Sequence, residues 1–179
     1  GFLPALNLVS EKEAGTIEQI NVSPVSRLTF TLSKLIPYWI IGLLVLTLAM
    51  VIAWVAYGLV PVGSIWIIYV VTLLFSFVMS GLGVSIANCS STMQQSMYVM
   101  FFFIIIFQLM SGLMTPIDSM PQWAQYITYV IPPRYFIEIM RSVYLKGSMF
   151  SELWQDFSML AVFAVFVCLA AMITYKKQS

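Results

Sequence analysis

Residues 35–117 contain no Asp, Glu, Lys or Arg. Two breaks divide this run: GLVPVGS at 58–64, with Gly and Pro punctuation, and the polar cluster NCSSTMQQS at 88–96. They leave apolar segments at about 35–57, 65–87 and 97–114, and a fourth follows at about 157–175. Each has a length that crosses the hydrocarbon layer as a helix, for which roughly 17–25 residues suffice. An open chain in lipid satisfies its backbone groups only as helix. The pattern therefore predicts an all-α polytopic membrane protein with four complete transmembrane helices. The opening GFLPALNLV is apolar but too short to span and lacks the features of a signal peptide. It reads as the end of a fifth span (1–9), which makes the chain the C-terminal part of a longer protein.

The polar stretch EKEAGTIEQINVSP, residues 11–24, stands just before the first span. Thr16 with Gln19 fits a capping box, and Ser23-Pro24 is a second helix start, so residues 10–34 read as two short helices. Val25, Leu28, Leu32, Leu35 and Ile36 share one helical face, with Arg27 and Lys34 on the other. This describes an amphipathic helix at the membrane surface that turns in near Pro37, or a plain extension of the first span with a snorkelling cation.

Residues 115–156 return the chain to the membrane. TPIDSMPQWAQYITYVIPP is rich in apolar and aromatic side chains and should lie against the bilayer. Pro121 opens a short helix, Pro132-Pro133 ends it, and a second helix runs from Arg134 to about Lys146 with Gly147 as its stop. On that helix Arg134, Glu138 and Arg141 share a face, a spacing that allows an ion-pair cluster. Two such helices form a re-entrant hairpin beside a cavity or gate, or a surface cap with exposed ion pairs.

Composition sharpens this picture by exclusion. The chain is 61% hydrophobic and 8% charged, against about 25% charged in soluble domains. A net charge of +1 with no basic patch gives no footing for nucleic acid. The absence of His removes zinc-protease and Ser-His chemistry, and no phosphate-binding loop motif is present. The spans carry no ionisable side chain of the kind that ion-coupled carriers keep at mid-membrane. Cys89 and Cys168 should lie at different depths as free thiols. In SFVMSGLGVSIA, Ser76, Ser80, Gly81, Gly83, Ser85 and Ala87 form a small-residue surface for close helix packing. Gln108 and Ser111 lie one turn apart, and Met93, Met97 and Met100 form a stripe that either lines a hydrophobic path or packs a neighbour. Lys12, Arg27, Lys34, Lys176 and Lys177 lie on one side and Arg134, Arg141 and Lys146 on the other, which places both termini in the cytoplasm.

EKEAGTIEQINVSP, then SKLIPYW, LVPVGS and LMSGLMTPIDSMPQWAQYITYVIPPRYFIEIMRSVYLKG, in this order, resemble permeases of type-2 ABC transporters, especially the bacterial drug-exporter branch. The resemblance implies that Glu11, Glu13, Gly15, Thr16, Glu18 and Pro24 belong to a coupling helix that docks on a separate ATPase subunit. It makes Pro116, Pro121, Pro132, Arg134, Tyr135, Glu138 and Arg141 part of an extracytoplasmic gate. Met97, Met100, Gln108 and Ser111 are candidates for the substrate path. Also implied are a bacterial inner-membrane location, a second permease copy or paralogue, a hydrophobic or lipid-like substrate, and no cofactor or catalysis on this chain. The alternative is a non-transporting membrane scaffold.

Overall fold

The computed structural model describes residues 2–15 and 26–176, and the described part is helical without a strand. Its helices are α1 (Phe2–Glu13), α2 (Arg27–Tyr57), α3 (Ile65–Cys89), α4 (Met93–Met110), α5 (Gln122–Thr128), α6 (Pro132–Arg141) and α7 (Trp154–Lys176). Among the described residues four segments have the length and hydropathy of a span: Thr29–Tyr57, Ile65–Cys89, Met93–Met110 and Trp154–Thr174. The third lies about one turn earlier than the apolar pattern suggests. Residues 93–96 join the helix because Thr92 caps it, its hydroxyl accepting from the Gln95 amide at 3.2 Å.

The surface helix and first span anticipated around Pro37 are one continuous helix of 31 residues. At 1.5 Å per residue α2 is about 46 Å long, more than the roughly 30 Å hydrocarbon layer needs. Ser26 caps its start by accepting from the Thr29 amide. Pro37 lies inside and leaves the Ser33 carbonyl without its helical donor.

Helix α3 is the centre of the molecule. Its N-terminal half packs with α6 and α7 through Ile68, Val71, Tyr135, Ile139, Phe157 and Leu160. Its middle meets α7 through Val78, Ala164 and Val167. Its C-terminal half meets α1 and α4 through Ala5, Val9, Val84, Ala87 and Met100. The small residues sit where the approaches are closest: Gly81 faces Val167 of α7, and Gly42 of α2 faces the Ser76 hydroxyl. Lipid is as apolar as Leu, so such close van der Waals contact and a few polar links hold helices together. For α2 these links are Trp39 Nε1 donating to Ser80 Oγ at 2.8 Å and the Thr47–Tyr69 hydroxyl pair at 2.6 Å. Exposed Trp54, Tyr57, Trp66, Trp123, Tyr126 and Trp154 gather at one end, the amphipathic belt of a membrane interface.

At that end the α2–α3 loop is joined to a π turn, Ser142–Lys146, that follows α6. Carbonyls at the C-terminal end of a helix lack a helical donor, and the Val62 and Gly63 amides donate to the Tyr144 and Val143 oxygens at 3.2 and 3.0 Å. Gly63 permits this approach, because a Cβ there would stand 2.8 Å from the Val143 oxygen. Gly63→Ala is therefore expected to lower stability by about 1–3 kcal/mol. Gly42→Ala, whose Cβ would meet only the Ser76 hydroxyl at 3.7 Å, should leave the Tm unchanged or higher. Thermal unfolding in detergent, followed by tryptophan fluorescence, distinguishes the two.

Candidate functional site

Polar groups meet at one corner, where α3 ends and α4 begins. Helix α1 is short and apolar on the face that carries Ala5, Leu8 and Val9, and it ends in Glu11-Lys12-Glu13. The Lys12 ammonium donates to the Ser90 and Asn88 carbonyls at 2.9 and 3.2 Å, at the C-terminal end of α3. The Glu13 carboxylate accepts from the Met93 amide at 2.7 Å, in the first turn of α4. A cation thus sits on the negative end of one helix dipole and an anion on the positive end of the next. Glu11 forms an ion pair with Lys34 of α2, and the Lys34 ammonium also lies 4.6 Å from the Phe30 ring centroid. Asn7 donates to the Tyr38 hydroxyl at 3.3 Å, a second polar tie between α1 and α2.

Of the residues expected to dock on an ATPase, Glu11 and Glu13 are therefore held by this chain's own groups. Gly15 ends the α1 turn at φ 71° with open space around it. Thr16, Glu18 and Pro24, with the capping box and the Ser23-Pro24 start, lie outside the described residues. The α3–α4 turn was not singled out by sequence reasoning, yet it carries a legible signal. Thr92 and Gln95 form a variant capping box in which the Gln95 side chain accepts from the Ser91 amide at 3.1 Å. The stretch NCSSTMQQS is polar because it caps two helix ends, and only residues 90–92 lie between the helices.

The hairpin at the opposite end begins with Pro116 before a single 3₁₀ turn, Ile117–Ser119. Pro121 precedes α5 and Pro132 is the first residue of α6, positions where a missing amide hydrogen costs nothing. The expected ion-pair cluster is absent: among the described residues no ion pair joins Glu138 to Arg134 or Arg141. The spacing permits such pairs, but closer acceptors take both guanidiniums. Arg134 donates to Thr128 Oγ1 at 2.6 Å and lies 4.2 Å from the Tyr129 ring centroid. Arg141 donates to the Gly112 carbonyl at 3.4 Å, which ties α6 to the end of α4. Glu138 is exposed. Tyr135 is buried and donates to the Tyr129 carbonyl at 2.8 Å, and burial pushes its phenol above the ordinary tyrosine range. The hairpin is thus locked to itself by Arg134 and Tyr135, which both reach back to the α5–α6 turn.

Between the hairpin, α3 and α4 lies an open cavity of about 590 Å³. Its wall is apolar, with Phe75 stacked on Phe136 at 4.3 Å, and its polar groups come from Gln108, Ser111 and Arg141. The candidate path residues divide here. Gln108 and Ser111 line this cavity, although the Ser111 hydroxyl is turned back to the Gln108 carbonyl at 3.2 Å. Met100 is buried further in, beside a void of about 40 Å³ between α3 and α4, and Met97 is exposed on α4. The Met stripe therefore serves packing at Met100 and does not continue into the cavity.

Comparison with known proteins agrees with this architecture. The chain is 29% identical over 155 residues to the probable multidrug ABC transporter permease YbhR of Escherichia coli (strain K12), covering 87% of this chain and 42% of that protein. It is 31% identical over 148 residues to the probable multidrug ABC transporter permease YbhS of the same organism, covering 82% and 39%. With the inner membrane transport permease YhhJ the identity is 27% over 168 residues, covering 91% and 44%. The chain thus spans less than half the length of these relatives. The family profile described as ABC-2 family transporter protein matches residues 1–173, and the chain belongs to that family.

Proposed function

We propose that this chain is the membrane-embedded part of an exporter permease that moves a hydrophobic or amphipathic substrate outward by alternating access. A separate ATPase subunit would supply the energy, and a second permease copy or paralogue would complete the path in the inner membrane. One observation carries this reading. Helices α3 and α4 contain no Asp, Glu, Lys, Arg or His, while Lys12 and Glu13 of α1 meet them at the single corner where α3 ends and α4 begins. A bundle built this way holds no mid-membrane group for an ion to protonate or bind, and it offers a polar handle to a soluble motor. The names of the relatives, multidrug and transport permeases, point the same way. The 590 Å³ cavity under the hairpin has the size and the apolar wall of a site for a drug-sized amphiphile.

The test is transport of a lipophilic fluorescent dye by the permease reconstituted with its ATPase in proteoliposomes. Export should require ATP and survive ionophores that collapse the ion gradients. Dye movement that follows an ion gradient without ATP would overturn the reading, and no movement under any condition would favour a scaffold.

The hairpin is proposed as the outer gate, and two of its charged residues, Arg134 and Glu138, separate structure from gating. Arg134→Ala should lower stability by about 1.5–3 kcal/mol, the usual worth of a hydrogen bond to a charged group. Glu138→Ala should change stability by less than about 0.5 kcal/mol, as surface substitutions do, yet alter the export rate. Unchanged export in Glu138→Ala would make the hairpin a passive cap.

A further inference from the structure

The corner formed by α1, α3 and α4 has a mechanical property that the family assignment does not supply. The end of α1 is tied to the bundle in two directions. Toward α2 the ties are the Glu11–Lys34 ion pair and the Asn7–Tyr38 bond, and the most apolar stretch of α2 beyond them has none of its residues buried. Toward the centre they run through Lys12 and Glu13, directly onto α3 and α4. Helix α1 itself is firmly seated, with Ala5 and Val9 fully buried against α3 and α4. The apolar stretch of α2 meets α3 through only a few polar links, so displacement passes more fully through the buried α3 and α4 contacts.

We propose that Lys12 and Glu13 are positioning residues that make the end of α1 and the α3–α4 turn one rigid unit, so that movement at the inner corner reaches the central helix directly and not only by way of α2. The signs of the two charges are what the geometry needs. Consecutive residues of opposite charge meet the C-terminal end of one helix and the N-terminal end of the next, and exchanging them would set like against like at both. Each bond is charge-assisted, and each uses a terminal main-chain group that no helix turn can satisfy. The clamp therefore does not depend on any side chain of the turn. Its role in energy coupling rests on the reading under Proposed function; its rigidity does not.

The native Cys89 makes the clamp testable. It is a free, exposed thiol at the end of α3, between the two residues whose carbonyls Lys12 holds. In a permease carrying Cys168→Ser and Lys12→Cys, a short bismaleimide should link the introduced thiol to Cys89 in native membranes. Failure to link them would overturn the clamp whatever the transport result. In proteoliposomes with the ATPase, Lys12→Met and unlinked Lys12→Cys should export roughly fivefold less dye per ATP hydrolysed, the factor that about 1 kcal/mol represents. Lys12→Arg should retain wild-type coupling, and the bismaleimide link should restore it to Lys12→Cys. Wild-type coupling in Lys12→Met would overturn the positioning role. So would a linked protein that folds but no longer transports, since the two parts would then have to move apart. If the wild type shows no ATP-driven transport, the permease reading fails and the coupling role falls with it, while the linking yield still reports on the clamp.

Discussion

What this bundle must overcome is the loss of the hydrophobic effect as a force between helices. In water, apolar faces associate because water is released; in lipid, a Leu face gains little by exchanging an acyl chain for another helix. Helix α3 answers with small residues. Gly81 lets Val167 of α7 approach the α3 backbone, and Ser80 and Ser76 meet Trp39 and Gly42 of α2. Helix α3 carries all three clusters of buried side chains, sharing two with α7 and the third with α1 and α4, and is the frame of the bundle.

The two ends of α3 are then fixed by different chemistry. At its C-terminal end the ties are electrostatic and come from side chains, with Lys12 on carbonyls and Glu13 on an amide. At its N-terminal end they are mainly main chain to main chain, from Val62 and Gly63 to the π turn. Side-chain ties respond to charge, salt and substitution, whereas main-chain ties are indifferent to most side chains. The C-terminal end is accordingly the one whose strength is open to adjustment by its surroundings.

Much of this was legible in the sequence, because the membrane allows so few solutions. A charge-free run punctuated by Gly, Pro and a polar cluster can hardly be anything but consecutive spanning helices, and three of the four begin or end within a few residues of the pattern's breaks. The proline positions of the hairpin were equally readable, since proline acts on its own backbone. What escaped were choices between competing partners. Arg134 and Glu138 have the spacing of an ion pair, but Thr128 and Tyr129 are nearer to the guanidinium than any carboxylate. Lys12 and Ser90 are 78 residues apart, and nothing in either stretch announces the other. At Pro37 the pattern allows a corner or a plain extension of the first span, and the helix takes the extension, since it tolerates one missing hydrogen bond.

The join between the α2–α3 loop and the π turn has a consequence for how such sequences drift. Since its two bonds lie in the backbone, exposed Val62 can vary without undoing them, whereas Val143 is held by its place in the core. Bulk cannot be added at Gly63 or Gly147, where a methyl group would strike Val143 or Val62. A hydrogen atom on each glycine α-carbon and a buried valine beside them are thus what this seam asks of heredity.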